Sequence, residues 1–207
     1  MKHLPNLLTA GRLVLTLFMF MALAMAAGAT PWSADLTSET QFTLQRWAVW
    51  AFVIAAVTDF FDGWLARKLN AVTVWGAILD PIGDKVLVAG AVLALMLTEL
   101  RGALAVPCAL ILFREFTVSA LREVAAGKNV RLPVTMLAKW KTTLQLVALA
   151  AELISACWYA LGLPDDVGLQ TNATTLAHVL LWIAAVVTVW TGAQYWEAAR
   201  KALTAAD

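Results

Sequence analysis

Charge is what this sequence has least of. Only 14% of its 207 residues are Asp, Glu, Lys or Arg, where a soluble domain carries about a quarter. That scarcity excludes an ordinary water-facing surface. Cysteine is nearly absent too: Cys108 and Cys157 each sit in an apolar run, and neither has a CxxC partner. A disulfide framework is excluded, and both read as small buried hydrophobes. The two histidines, His3 and His178, stand alone, so no zinc cluster is expected. A net charge of +1 offers no global field for a partner, and no nucleic-acid partner is expected. Repeats, low-complexity tracts and linkers longer than a loop are all missing. The chain is therefore read as one domain over 1–207.

Apolar residues are abundant. They make up 61% of the chain, and the mean hydropathy is +0.76. This is more apolar surface than one buried core can absorb, so the bilayer must solvate much of it. The reading is an all-α integral membrane protein with six transmembrane helices. They are expected over about 7–27, 42–68, 75–97, 104–126 (kinked at Pro107), 136–161 and 175–200, with loops at 28–38 and 162–172. The basic start and first apolar run look like a signal peptide, but the run is long enough to span and five more follow. Cleavage is therefore not expected.

Orientation follows from the cations. With the N-terminus in the cytoplasm, all fifteen Lys and Arg residues except Arg46 and Arg101 fall at the cytoplasmic end. Asp35, Glu39, Glu99, Asp165 and Asp166 fall at the other end. Both termini are then cytoplasmic. Trp47 and Trp50 mark one interface, and Trp64, Trp75 and Trp140 the other.

Against this background, 59–84 stands out. It holds Asp59, Asp62, Asp80 and Asp84. The spacings i, i+3 and i, i+4 put each pair on one helix face. Clustered carboxylates near a membrane repel one another and are costly to keep ionised; a bound divalent cation removes both problems. Carboxylate oxygens suit Mg²⁺ or Mn²⁺. Gly63, Gly76 and Ala66 keep space beside the acids, and Arg67 supplies a guanidinium suited to phosphate. Acids, space and an arginine together suggest metal-assisted chemistry on a phosphate ester. The plain alternative pairs the acids with Arg67, Lys68 and Lys85, but that would not require the aligned glycines.

The pattern D-x2-D-G-x2-A-R-x8-G-x3-D-x3-D is present in full as Asp59, Asp62, Gly63, Ala66, Arg67, Gly76, Asp80 and Asp84. It resembles the signature of the CDP-alcohol phosphatidyltransferases, a family of six-span enzymes with a cytoplasmic active site. The resemblance implies two divalent ions held by Asp59, Asp62, Asp80 and Asp84. It also implies Asp84 as the base that deprotonates the acceptor hydroxyl. Gly63, Ala66, Arg67 and Gly76 would line the pocket of a CDP-linked lipid, with CMP as leaving group. A homodimer in the bacterial inner membrane is implied as well.

Two further stretches resemble the phosphatidylglycerophosphate synthase branch. One is HLPNLLTAGR, with Pro5, Asn6, Thr9 and Arg12; the other is REFTVSALRE through KWKTTLQ, from Arg114 to Gln145. The implied substrates are CDP-diacylglycerol and glycerol 3-phosphate. Physical chemistry points the same way, because a dianionic acceptor needs cations. Arg114 and Arg122 lie eight apart on one helix, and Lys139 and Lys141 begin the next. For each of these residues the competing role is snorkelling to lipid headgroups. Asn6 and Thr9 could contact the nucleotide or cap the first helix. Glu115 and Glu123 each follow an arginine and could orient the cations or simply cap charge.

Phosphatidylglycerol, serine or inositol phosphate as acceptor would keep the chemistry and change the product; the cations favour a phosphorylated acceptor. An aromatic prenyltransferase would need more spans and another acid spacing. A Mg²⁺ transporter would need acids along a path across the bilayer, whereas these crowd at one face.

Overall fold

A computed structural model describes residues 4–69, 74–97, 101–128, 130 and 136–204 of the chain. Within these, the side chains of 4–6, 60–69, 74–78, 80, 101, 103 and 136–139 lie outside the description. The described residues form six α-helices and one short 3-10 turn, with no strand. The helices are α1 (Leu4–Ala26), α2 (Ser38–Leu69), α3 (Val74–Leu95), α4 (Arg101–Gly127), α5 (Met136–Ala156) and α6 (Val167–Thr204); the turn is Pro31–Ser33.

Local chemistry sets the helix ends. Gly28 has φ +74°, a conformation in which a side chain is strained. Around it Gly28 N–H donates to Met25 O and Ala29 N–H to Ala24 O, at 3.1 and 2.9 Å. This pair of bonds closes the end of α1. Thr37 caps α2 by accepting the Thr40 N–H at 3.3 Å. Helical turns continue past α5 to Leu161, whose N–H donates to Cys157 O at 3.1 Å. There Gly162, at φ +71°, ends them.

The expected loop over 162–172 is too long. Asp166 Oδ1 accepts the Leu169 N–H at 3.0 Å, so Asp166 caps α6, which begins at Val167 and not near Thr175. Likewise α2 begins at Ser38, ahead of Phe42, and α4 at Arg101, ahead of Leu104. Side-chain caps start α2 and α6 ahead of their apolar cores. Helix α4 runs through Pro107 without interruption.

Helix α1 packs on α2 and α3, while α6 packs on α4 and α5. Met19, Phe52, Leu87, Leu95, Leu149, Leu153 and Leu181 fill the centre. Cys108 and Cys157 are both buried and unbridged, as expected. Helices α1 and α3 approach closely: a Cβ on Gly90 would stand 2.7 Å from Thr16 Cγ2, and one on Gly83 would stand 3.4 Å from Thr9 Cγ2. The seven-residue spacing on both helices makes this one continuous seam. Between α5 and α6, His178 Nδ1 lies 2.9 Å from the fully buried Glu152 Oε1, so an acid in the apolar interior is paired.

The outer surface is apolar. Leu7, Val14, Leu17, Phe113, Val186 and Trp190 are all exposed, the arrangement of a protein solvated by lipid. Among the described residues, Leu7–Ala26, Leu104–Gly127 and Val167–Thr204 are long and apolar enough to cross a membrane.

Candidate active site at one end of the helices

Cross-helix bonds and contacts show that α1 with α2, α2 with α5 and α5 with α6 run antiparallel, while α1 with α3 and α4 with α6 pack in parallel. Early Arg12 meets late Asp59, and Arg46 Nε, early in α2, donates to Ala160 O beyond α5 at 2.8 Å. The beginnings of α1, α3 and α5 therefore share an end with the ends of α2, α4 and α6. That end collects the acids and most of the cations singled out in the sequence.

Asp59 on α2 and Asp84 on α3 converge on one nitrogen. Arg12 Nη1, from α1, donates to Asp59 Oδ1 and to Asp84 Oδ1 at 2.6 Å. Arg12 is 2% exposed, whereas the Asp84 side chain is 55% exposed and that of Asp59 20%. Asp84 is thus the more exposed of the two carboxylates. Thr9, one turn before Arg12, is fully buried and packs toward Gly83 beside Asp84.

Asp62, Gly63, Ala66 and Arg67 lie on the same continuous helix as Asp59. Gly76 and Asp80 lie on the same helix as Asp84. The side chains of these six, with those of Asn6 and Lys139, fall outside the described residues. Among the described residues no three His, Cys, Asp or Glu side chains form a metal-holding group. The two described acids nonetheless pass a chemical test. They are hard oxygen donors from different helices that already converge on one positive charge, the donor chemistry Mg²⁺ and Mn²⁺ take.

A second group joins α4, α5 and α6. Arg114 is 7% exposed and Lys141 4%. Glu115 Oε1 accepts from Lys141 Nζ and from Arg114 Nη1 at 3.3 Å. Arg114 Nη2 reaches Thr191 Oγ1 at 3.5 Å. Gly192 makes room for the arginine stem, since a Cβ there would meet Arg114 Cγ at 2.7 Å. Arg122 Nε donates to Tyr195 OH at 3.3 Å, and its guanidinium stacks 5.3 Å over that ring. Two buried polar atoms here, Arg114 Nε and Gln145 Oε1, have no hydrogen-bond partner among the described residues. Buried polar groups left in that state commonly mark where a ligand or water completes the bonding.

The fold thus brings Asp59 to Asp84 and Arg114 to Lys141, and it sets Arg122 against Tyr195. Three roles escaped sequence reasoning: Arg12 as partner of the acids, Glu115 as the bridge between two cations, and Gly192 as space for Arg114. Arg12 carried a usable signal, because a lone cation inside an apolar helix calls for a partner. Gly192 carried none, since its contact is made across helices.

The profile of the CDP-alcohol phosphatidyltransferases matches residues 2–190. The chain belongs to this family. Among its relatives is a CDP-diacylglycerol–glycerol-3-phosphate 3-phosphatidyltransferase of Rickettsia bellii, 39% identical over 206 residues and covering 97% of each chain. Proteins of the same name from Cereibacter sphaeroides and Haemophilus influenzae are also similar. The first is 41% identical over 190 residues, covering 76% of this chain and 83% of the relative. The second is 32% identical over 203 residues, covering 97% and 95%.

Proposed function

We propose that this chain transfers the phosphatidyl group of CDP-diacylglycerol to glycerol 3-phosphate, yielding phosphatidylglycerophosphate and CMP. The observation that carries the acceptor assignment is the buried group of Arg114, Lys141 and Glu115. Two cations against one acid leave one positive charge, and Arg122 nearby in sequence adds another. A phosphate dianion matches that balance, whereas serine and phosphatidylglycerol do not. The shared name of relatives that align over nearly the whole chain supports the same reading.

Asp59, Asp62, Asp80 and Asp84 would hold two divalent ions, Mg²⁺ or Mn²⁺. When bound, such ions offset the negative charge of the pyrophosphate and of departing CMP. Asn6, Thr9, Asp59, Asp62, Gly63, Ala66, Arg67 and Gly76 would bind CDP-diacylglycerol; the small residues would admit the ligand and the Arg67 guanidinium suits its phosphate. Arg114, Arg122, Lys139 and Lys141 hold the acceptor phosphate, which fixes the hydroxyl at the other end of the molecule. Asp84, the more exposed of the two paired acids, takes the hydroxyl proton. The oxygen then bonds to the lipid-side phosphorus, and the bond from that phosphorus to the CMP oxygen breaks, its electron pair leaving with CMP.

In this reading all six helices span the bacterial inner membrane as one domain over 1–207. Both termini and the site face the cytoplasm, and two copies associate through the spans. A soluble acceptor and a lipid nucleotide can meet only at such an interface. The test is CMP release by the purified protein with CDP-diacylglycerol and one acceptor at a time. Glycerol 3-phosphate should support turnover, chelation should stop it, and Asp80→Asn should abolish it. Turnover with serine or phosphatidylglycerol alone would refute the acceptor, and full activity of Asp80→Asn would refute the metal assignment.

A further inference from the structure

We infer that Arg12 is a positioning residue that sets the affinity of the acid cluster for its divalent ions. The inference rests on the reading of Asp59 and Asp84 as metal ligands. Three observations carry it. One nitrogen, Arg12 Nη1, is bonded to Oδ1 of both carboxylates. These carboxylates come from two different helices, so nothing within either helix fixes their separation. The guanidinium that joins them is almost wholly buried and packed where a Cβ on Gly83 would stand 3.5 Å from Nη1.

Two carboxylates on separate helices repel, and the repulsion grows in a poorly solvated site. A guanidinium held by a third helix cancels it and fixes each carboxylate by one oxygen, leaving the second oxygen of each outside the clamp, open to an ion or, on Asp84 during turnover, to the hydroxyl proton. An arginine suits this task because it stays charged in any surroundings, which a buried lysine does not. The α1–α3 seam holds the clamp in register: Thr9 packs toward Gly83 and Thr16 toward Gly90, three residues before and four after Arg12. Hydrogen bonds of this outer kind orient metal ligands, and losing one typically costs about 10- to 100-fold in metal affinity.

The experiment is a titration of the purified full-length protein with Mn²⁺, following the free ion by electron paramagnetic resonance. It yields the number of sites and the Kd separately. Arg12→Gln should raise Kd by about 10- to 100-fold at an unchanged number of sites, and Arg12→Lys should fall between it and the wild type. A merely structural role would instead lower the number of sites and leave Kd alone, which would overturn the inference. So would an Arg12→Gln Kd equal to or tighter than that of the wild type. If Arg12→Gln cannot be recovered from membranes, Arg12→Lys carries the same comparison alone: a raised Kd supports the clamp and an unchanged one overturns it. Asp59→Asn separates the two levels of argument. A wild type without saturable Mn²⁺ binding, or an Asp59→Asn Kd equal to the wild type's, refutes the metal reading itself.

Discussion

Gly192→Ala tests the acceptor pocket without touching any charge. The added Cβ would stand 2.7 Å from Arg114 Cγ, 3.4 Å from Nε and 3.6 Å from Cδ. Carbon atoms in contact rest at about 3.5–4.0 Å, so Cγ must retreat by roughly 1 Å. Cγ lies close to the α4 backbone, and the guanidinium is tied to Glu115 and Thr191. The retreat therefore moves the whole fork and cannot be absorbed at its tip. One lost hydrogen bond to a charged phosphate is worth about 1.5–3 kcal/mol. At about 1.4 kcal/mol per tenfold, the KM for glycerol 3-phosphate should rise by roughly 10- to 100-fold. The KM for CDP-diacylglycerol should stay put, and so should kcat at saturating acceptor, because the lost interaction is one of binding. Gly102→Ala is the control, since nothing lies within 4 Å of its Cβ position. Steady-state CMP release with each substrate varied in turn reads all three constants. An unchanged acceptor KM, or an equal rise for both substrates, would refute the placement of the pocket.

Other outcomes follow from the same contacts. Arg114→Ala should raise the acceptor KM at least as far as Gly192→Ala does, and the double variant should add little, because both act on one guanidinium; the same assay checks this. Gly90→Ala should lower thermal stability in detergent by about 1–3 kcal/mol through overpacking against Thr16. Thr16→Ser removes the obstructing methyl while keeping the hydroxyl that donates to Arg12 O, so it should restore most of the loss. Asp166→Ala removes the cap of α6 and should cost about 1 kcal/mol with both KM values intact.

The fold was legible where periodicity and apolar length carry the information. All six helices lie where the apolar runs put them, and the four aspartates fall on the two helices expected. The ends were less legible because helix termini are set by hydrogen bonds that apolar length does not report. Asp166 looks like a turn residue in GLPDDVGLQTN, yet its carboxylate accepts a backbone N–H and starts a helix. Polarity near a cap has two readings in sequence, and only the direction of one side chain decides between them.

The site divides along the same line. Residue types at fixed spacing on one helix can be read directly: the aspartates of 59–84 were singled out that way, and the fold brings Asp59 and Asp84 together. Partners drawn from three helices cannot, because their separation in sequence is large: 47 positions part Arg12 from Asp59 and 72 part it from Asp84. Glu115 shows the cost. Beside Arg114 in sequence it looks like a local counter-charge, but its carboxylate also holds Lys141, 26 positions away. It therefore joins the two cations that the proposed function assigns to the acceptor phosphate. An acid in an anion pocket is unfavourable for binding unless it fixes geometry worth more than the charge it cancels. Here it holds a long, flexible lysine and an arginine in one arrangement, which would lower the ordering that binding of the proposed acceptor requires.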